Sequence, residues 1–401
     1  MHTIAILKNT VQNYAWGSLT AISDLLGVSN PTNIPQAELW MGAHPKAPSK
    51  VQYDGRWLSL IDLIEKHPVD ILGKAVAQKF NNTLPYLFKV LAAASPLSIQ
   101  AHPNSVQARE GFRRENSMKI PLDAPRRNYR DDNHKPECIC ALTPFWALCG
   151  FREISTIVSY FNAVCPEGLK DELTALKLNP SSEGLKQFFS ILLTFDADHR
   201  QSIIDEAVSN ARKSEGQDAA YEWIVKLSDS YPHDIGILSP ILLNLLCLEP
   251  GQAIFLGAGQ LHAYLDGVGI ELMANSDNVL RGGLTPKHID VSELLKVLQF
   301  DERDVTFLEP DKISNHERVY ACPVKEFALS IITLPEHESY LRLNGKSVEI
   351  LLCTAGRAEL MVMDRKDNFS LKKGMSAIIP AAVKRYKIEG QATFYKAAVP
   401  V

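Results

Sequence analysis

The chain contains 401 residues, a length that accommodates about two or three domains of ordinary size. Apolar residues make up 46% of the sequence and charged residues 22%, which is typical of a globular protein with a sizeable core. The formal net charge of −4 gives no basic surface for nucleic acid, and no apolar segment is long enough to span a membrane. The first residues lack a signal peptide and the seven cysteines are scattered, so we expect a cytoplasmic protein with reduced thiols.

The first part of the chain and the part that follows it have different apolar patterns. Up to about residue 150, short apolar runs are broken by glycine, proline and asparagine, which predicts a β-rich domain with long loops. Between 151 and 250 the apolar residues recur at helical spacing, as in Ile154, Ile157, Val158 and Phe161. This second pattern predicts an α-helical domain.

The remainder of the chain again favours strands, beginning at the Pro250-Gly251 turn. From 321 onwards, apolar runs separated by turn sequences such as Asn344-Gly345 predict a closed or sandwiched antiparallel sheet. We therefore predict three domains. One is formed by 1–150 together with 251–320, the second is helical and covers 151–250, and the third is a C-terminal β domain over 321–401.

Four residues could form a metal site. Gln100 and His102 end an apolar run, and in an extended segment they point to the same face. Glu137 leads into another apolar strand and His262 follows a glycine-rich loop, so together they offer oxygen and nitrogen ligands with one negative charge. The ligand chemistry does not choose between zinc, iron and manganese. Each histidine, taken singly, could equally be a hydrogen-bonded structural residue.

A second polar group lies between 269 and 287. Arg281 precedes two glycines, where a guanidinium could hold a phosphate or a developing oxyanion. Asp277 or Glu271 could act as acid or base, or could orient Arg281. The alternative is an ordinary turn in which Ser276, Asp277 and Asn278 satisfy their own backbone.

Two lysines and a serine complete the set of candidates. Lys135 would share a strand face with Glu137 and could bind phosphate or exchange a proton, although an exposed loop lysine is the simpler reading. Lys89 lies within an apolar run and therefore needs a partner such as a phosphate. Ser98 alternates with Gln100 and could donate to the same anion.

Several of these segments occur in blocks whose order and sequence resemble one known family. The blocks cover residues 13–18 (Asn-Tyr-Ala-Trp-Gly-Ser), 37–45, 97–103, 133–137 and 276–287. The chain resembles the type I mannose-6-phosphate isomerases (phosphomannose isomerases), which are zinc enzymes of the cupin superfamily. One departure is Gly282-Gly283 after Arg281, where many members have Ala-Gly.

The resemblance implies a fold and a set of site residues. The fold would be mainly β, with two cupin-type jelly-roll domains plus an α-helical domain, and the metal site would lie in the first cupin domain. One Zn²⁺ per chain would be held by Gln100, His102, Glu137 and His262. Arg281 would be the catalytic arginine, Lys135 the active-site lysine, and Lys89 and Ser98 the phosphate contacts. The C-terminal cupin-like domain has no His-x-His pair, so we expect it to bind no metal.

The resemblance also implies an activity, the interconversion of mannose 6-phosphate and fructose 6-phosphate. A proton would move between C2 and C1 through a cis-enediol, with Lys135, Asp277 and Glu271 as candidates for its transfer. His102 is a fourth candidate but is less available for this role if it binds the metal, which favours Lys135 or Asp277. The enzyme would supply mannose 6-phosphate for GDP-mannose synthesis, or mannose for glycolysis.

We expect a monomer that binds a small sugar phosphate and neither nucleic acid nor membrane. Two alternatives stay open at this point, a metal-dependent cupin oxygenase and a sugar-phosphate-binding regulator without turnover. The presence of all four possible ligands together with Arg281 argues against the regulator.

Overall fold

Strands form most of the regular structure at both ends of the chain, and helices are concentrated between them. The computed structural model describes residues 1–53, 55–165, 167–302, 305–365 and 367–401. The strands are β1 Ala5–Lys8, β2 Thr10–Gln12, β3 Glu38–Gly42, β4 Lys50–Tyr53, β5 Arg56–Ser59, β6 Tyr86–Ala93, β7 Ile99–Ala101, β8 Glu137–Ala141, β9 Phe145–Phe151, β10 Leu243–Leu248, β11 Ala253–Leu256, β12 His262–Ala274, β13 Leu280–Gly283, β14 Pro310–Lys312, β15 Glu317–Tyr320, β16 Ala328–Leu334, β17 Ser339–Arg342, β18 Glu349–Val362, β19 Asn368–Lys372, β20 Ser376–Ile379 and β21 Tyr386–Ala398. The helices are α1 Ala21–Leu26, α2 Leu60–Lys66, α3 Pro68–Leu72, α4 Lys74–Lys79, α5 Ser105–Ser117, α6 Ile154–Val164, α7 Lys170–Leu178, α8 Ser182–Thr194, α9 Ala197–Lys213, α10 Ala219–Ser230, α11 Ser239–Leu242 and α12 Val291–Val297, with a 3₁₀ turn at Ile235–Leu238.

One antiparallel sheet contains the C-terminal strands and also the first strand of the chain. Its order is β14-β15-β16-β21-β18-β20-β1-β4-β5, with β17 paired to β21 and β19 paired to β18. Ala5 of β1 lies opposite Ile378 of β20. Sheet pairing therefore joins the N-terminal residues to the region from 321 onwards. The three predicted domain ranges stay a prediction.

The second sheet carries the candidate site. Its main order is β10-β9-β12-β6-β3-β2, and β7, β8, β11 and β13 pair beside this path. The predicted fold class, mainly β with a helical insertion, is confirmed. Among the described residues, no helix is both long and apolar enough to cross a membrane.

The long strand β12 serves two parts of this sheet. Its first residues pair with β7 and β9, and its residues from Gly267 onwards pair with β6 and β8. Gly267 has a φ of 119°, and a Cβ atom at this position would lie 2.6 Å from the Pro144 carbonyl oxygen. Only glycine fits this conformation and this close contact with the backbone at Pro144. The strand can therefore continue from one part of the sheet to the other and carry both His262 and Glu271.

The helical insertion packs against the strands that carry candidate site residues. Helix α6 buries Ile154, Ile157, Val158 and Phe161, which confirms the predicted helical spacing. These side chains share one core cluster with residues from other helices of the insertion and with Ile99 of β7, Leu280 of β13 and Leu284. The insertion therefore supports β7 and β13 from behind.

The interior of the C-terminal sheet contains a closed group of charges. The Lys396 ammonium lies 2.5 Å from a Glu317 carboxylate oxygen and 3.6 Å from Glu349. Tyr340 donates to Glu317, and Tyr386 donates to Glu349. Burial alone would raise the pKa of Glu317. The Lys396 ammonium outweighs burial, so the pKa of Glu317 lies below its usual value. Each buried charge is thus compensated by a neighbour, as a low-dielectric interior requires.

Replacing Gly267 should test how strongly β12 depends on its bend. Gly267→Ala forces a side chain into a left-handed backbone and against neighbouring backbone, so we expect a loss of about 3 kcal/mol in the free energy of unfolding. Gly27→Ala is the matched control, because Gly27 has a φ of 65° but nothing within 4 Å of the added Cβ. It should cost only about 1 kcal/mol. Equal shifts of the two denaturation midpoints would contradict the role of close backbone contact at Gly267.

Candidate metal centre and adjoining cavity

Three neighbouring strands bring candidate residues into one row. Gln100 of β7 lies opposite His262 of β12 on one side and opposite Arg281 of β13 on the other. Directly paired residues in antiparallel strands point to the same face, with Cα atoms about 4.5–5.5 Å apart. Residues separated by 162 positions or more in the sequence are thereby adjacent in the sheet. The register alone fixes their order.

His102, Glu137 and His262 form a compact buried cluster beside this row. One ligand atom from each residue can be chosen so that all three atoms lie within 4.8 Å of one another. The Nε2 atoms of His102 and His262 each lie 3.4 Å from a carboxylate oxygen of Glu137. All three side chains are almost completely excluded from solvent.

The Nδ1 atoms of the two histidines, which point away from the cluster, are already hydrogen-bonded. Nδ1 of His102 lies 2.8 Å from the Asn278 carbonyl oxygen, and Nδ1 of His262 lies 2.9 Å from the Gln260 carbonyl oxygen. A carbonyl can only accept, so each Nδ1 donates and each Nε2 presents a lone pair to the cluster. Backbone carbonyls that hold the remote nitrogen in this way are a common feature of histidine metal ligands.

The cluster fits a divalent metal ion. The Nε2 atoms of both histidines and Oε2 of Glu137 are buried without a hydrogen-bond partner among the described residues. Orphaned buried polar atoms are costly, and here the three converge on one point. Two imidazole nitrogens and one carboxylate oxygen suit a borderline ion such as zinc.

The charge states of these groups also suit metal binding. Burial lowers the pKa of His102 to about 4, and the Lys135 ammonium adds to this effect, so the imidazole stays neutral. Burial would raise the pKa of Glu137, but Lys135 and the two imidazoles hold it well below its usual value. The Lys135 Nζ atom lies 2.8 Å from Oε1 of Glu137. His102 and Glu137 are therefore available as deprotonated ligands at neutral pH.

Gln100, the fourth predicted ligand, lies next to the cluster through its pairing with His262. It also lines the cavity described below. Its role as a metal ligand stays a prediction.

A cavity of about 390 Å³ opens onto the metal cluster. Its wall contains most of the residues singled out from the sequence: Lys89, Ser98, Gln100, Lys135, Glu137, Glu271 and Arg281. His102 and His262 lie behind the wall, fully buried. The cavity is within the size range of small-molecule sites and large enough for a sugar phosphate.

One wall of the cavity carries a buried ion pair. Lys89 and Glu271 are directly opposite each other on β6 and β12, and their charged atoms are 2.8 Å apart. Glu38 lies 3.6 Å from the same ammonium and accepts a hydrogen bond from the Trp40 indole. Burial would lower the pKa of Lys89, but the two carboxylates raise it above its usual value, and burial raises the pKa of Glu271. Lys89 is thus already balanced by protein carboxylates.

Another part of the wall is cationic and unbalanced. Arg281 and Lys287 both line the cavity, and neither forms an ion pair with any residue that the structure describes. Burial lowers the pKa of Lys287, and the charges of Arg281 and Arg130 lower it further. Burial and Arg130 likewise lower the pKa of Arg281. Clustered cations without carboxylate partners form a favourable site for an anion such as phosphate.

Asp277 lies outside the cavity wall. Its carboxylate is 2.8 Å from the Lys46 ammonium and 3.7 Å from His44. Burial would raise the pKa of Asp277, but the hydrogen bond from Lys46 outweighs it and the pKa is lowered. The hydrogen bonds of this turn are not confined to its own backbone. The Asp277 amide donates to the Asp131 carboxylate, and the Asn278 side chain forms hydrogen bonds with the backbone of residues 130–133.

Tyr264 and Lys287 are among the wall residues that were not proposed as site residues from the sequence. The Tyr264 hydroxyl is buried, and burial together with the nearby Glu271 carboxylate raises the pKa of Tyr264 well above its usual value. Tyr264 follows His262 by two positions on a strand, which is a usable signal for a shared face. Lys287 lies in the same glycine-bounded segment as Arg281, but nothing local distinguishes it from an exposed lysine.

Three family models match successive parts of the chain. The model described as "Phosphomannose isomerase type I, catalytic domain" matches residues 4–154. The helical insertion domain of the same family matches 167–243, and "Mannose-6-phosphate isomerase, cupin domain" matches 317–398.

Whole-chain comparisons agree with these matches. The chain is 45% identical over 379 residues to the mannose-6-phosphate isomerase of Salmonella typhimurium, with 94% of each chain covered. It is 38% identical over 384 residues to the Homo sapiens enzyme of that name, with 87% of each covered. A crystal structure titled mannose 6-phosphate isomerase bound with zinc and yttrium has a TM-score of 0.92 and 42% identity, and covers 99% of this chain and 100% of that one. The chain therefore belongs to the type I phosphomannose isomerase family.

Proposed function

We propose that the protein is a zinc-dependent isomerase that interconverts mannose 6-phosphate and fructose 6-phosphate. The observation that carries the proposal is the position of a buried His-Glu-His cluster beside a cavity with an unbalanced cationic wall. A metal ion can act on the oxygens at the reacting end of a sugar phosphate, while cations hold the phosphate at the other end. The relatives from Salmonella typhimurium and Homo sapiens are both named mannose-6-phosphate isomerase, which supports mannose 6-phosphate as a substrate.

His102, Glu137 and His262 would hold the zinc ion, with Gln100 as the fourth ligand. When bound, zinc supplies a positive charge that polarises the carbonyl and hydroxyl oxygens of the open-chain sugar. Lys135 keeps Glu137 ionised through its 2.8 Å contact and presents an ammonium group to the same part of the cavity. That ammonium would further stabilise negative charge on the substrate oxygens.

The phosphate group would bind at Arg281 and Lys287, with Ser98 as a neutral donor. Neither cation forms an ion pair with a carboxylate in the described part of the chain, whereas Lys89 is paired with Glu271 and Glu38. Binding energy from the phosphate would orient the reacting carbons without taking part in the chemistry.

Proton transfer between C2 and C1 would be the task of Glu271. Its carboxylate lines the cavity, and burial raises its pKa towards the range of an effective general base. It would take the proton from one carbon and return it to the other through the cis-enediol. Lys89 stays protonated beside it and can donate a hydrogen bond to a substrate oxygen. Asp277 is excluded from this role in our proposal because Lys46 and His44 hold it outside the cavity wall.

In the cell, the reaction would supply mannose 6-phosphate for GDP-mannose synthesis or bring mannose into glycolysis. We further propose that the enzyme acts as a cytoplasmic monomer. Analytical ultracentrifugation of the zinc-loaded protein tests the monomer, and a stable dimer at micromolar concentration would contradict it.

A coupled isomerase assay with mannose 6-phosphate tests the function. We expect turnover in the zinc-loaded protein, its loss after chelation and its recovery when zinc is added back. Oxygen consumption would instead favour the cupin oxygenase. Substrate binding without turnover would favour the regulator.

Replacing Glu137 by glutamine should remove the metal. The variant loses the only negative charge of the cluster and places an amide against Lys135. We expect zinc affinity to fall by more than the roughly 10- to 100-fold typical of losing an outer-shell partner. Competition with a chelator and elemental analysis measure the affinity and the zinc content. Glu349→Gln, which alters a buried carboxylate of the C-terminal charge group, should retain one zinc per chain.

Replacing Lys287 by methionine should weaken phosphate binding. The variant keeps the aliphatic stem but loses one charge-assisted hydrogen bond, so we expect KM for mannose 6-phosphate to rise about tenfold or more with a smaller change in kcat. Steady-state kinetics measure both. Lys177→Met on helix α7 is the control for the loss of a positive charge elsewhere. An unchanged KM in Lys287→Met would remove Lys287 from the phosphate site.

A further inference from the structure

We call residues 281–287, the end of β13 and the residues that follow it, the cationic loop. The helical insertion contacts this loop through one carboxylate. Asp234 lies just after helix α10, at the start of the 3₁₀ turn. Its Oδ2 atom accepts a hydrogen bond of 3.0 Å from the backbone amide of Thr285. Its Oδ1 atom accepts one of 2.8 Å from the amide of Gly236. The carboxylate therefore joins the insertion to the loop that carries Arg281 and Lys287.

The residue before Thr285 has an unfavourable backbone conformation. Leu284 has a φ of 52°, which lies in the left-handed region that residues other than glycine and asparagine rarely adopt. Leu284 is buried, belongs to the core shared with the helical insertion, and lines the cavity. Strained residues persist only where the surroundings fix them, and the bond from Asp234 to the next amide is such a constraint.

Two glycines allow the insertion to approach this loop closely. A Cβ atom on Gly236 would lie 2.9 Å from the Leu284 amide nitrogen and 3.1 Å from the Gly283 Cα atom. A Cβ atom on Gly283 would lie 3.0 Å from the Gly236 Cα atom. The two backbones are thus in direct contact. Displacing the Asp234 turn would therefore displace the backbone of the loop.

The same turn also reaches the cavity itself. Tyr231 lines the cavity, and its hydroxyl donates a 3.1 Å hydrogen bond to the Pro96 carbonyl oxygen. Residues 231–236 are therefore fixed at both ends, by Tyr231 to the segment before β7 and by Asp234 to the loop after β13. The turn has the contacts needed to act as a rigid support.

We propose that Asp234 is a positioning residue that fixes loop 281–287 so that Arg281 and Lys287 face the cavity. Through this loop, the helical insertion sets the affinity of the site for the phosphate end of its ligand. The proposal rests on the proposed function in that it takes Arg281 and Lys287 to bind phosphate. It assigns the helical insertion a role in ligand binding.

Two variants of Asp234 and one control test the proposal. Asp234→Asn keeps the shape of the side chain and one acceptor for Gly236, but can no longer satisfy both amides as acceptors. Asp234→Ala removes both bonds. Asp196→Ala is the control, because Asp196 caps helix α9 of the same insertion through a 2.9 Å bond to the His199 amide and lies at an exposed helix end. The control reports the effect of a lost cap on stability alone.

We expect KM for mannose 6-phosphate to rise about tenfold in both Asp234 variants, with a much smaller change in kcat. The dissociation constant for inorganic phosphate, measured by calorimetry on the zinc-loaded protein, should rise by a similar factor. Asp196→Ala should lower the unfolding midpoint but leave KM and phosphate binding unchanged. Wild-type KM and phosphate affinity in a folded Asp234→Asn protein would overturn the proposal, even if Asp234→Ala fails to fold.

The same measurements separate this proposal from the proposed function. If the wild-type protein has no isomerase activity, the proposed function fails, while phosphate calorimetry still decides the role of Asp234. If activity is present and phosphate affinity does not respond to Asp234→Asn, only the positioning role fails.

Discussion

The backbone register of the short strand β7 is the constraint on which the site depends. Gln100 of β7 is paired with His262 on one side and with Arg281 on the other. The metal cluster and the cationic wall are therefore separated by the single strand β7. A shift of one residue in this pairing would turn each side chain to the opposite face. The three-residue strand has few hydrogen bonds of its own to prevent this shift, so the core beneath it, formed with the helical insertion, has to hold the register. The bend of β12 at Gly267 then adds Glu271 to the same cavity.

Charge compensation divides the cavity into two parts. In the part next to the metal cluster, Lys135 is matched by Glu137, and Lys89 is matched by Glu271 and Glu38. These pairs can be buried because each charge has a partner at short distance. In the other part, Arg281 and Lys287 repel each other without a described carboxylate nearby. Lys287 is exposed and Arg281 is partly exposed, so solvent can screen this repulsion, and an anionic ligand would remove it.

Local sequence patterns were sufficient for the elements and for part of the site. The alternation of Gln100 and His102 and the helical spacing from Ile154 onwards describe interactions between neighbours in the chain, and such interactions are visible in sequence. Contacts between distant loops are not visible in this way.

Asp277 has the chemistry of an acid or base, yet Lys46 holds it outside the cavity wall, and no feature near Asp277 indicates this partner. Similarly, Asp234 is an ordinary helix-capping residue in sequence, and only the fold brings it to Thr285. The joining of β1 to β20 lies beyond any local pattern for the same reason.

That joining has a consequence for how the protein is made. Ala5 leaves the ribosome long before its partner Ile378 has been synthesised. Strand β1 lies between β20 and β4, so until β20 has been synthesised only the edge facing β4 can be paired. Unpaired strand edges of this kind are prone to pair with other chains, so β1 is open to incorrect pairing until β20 is present.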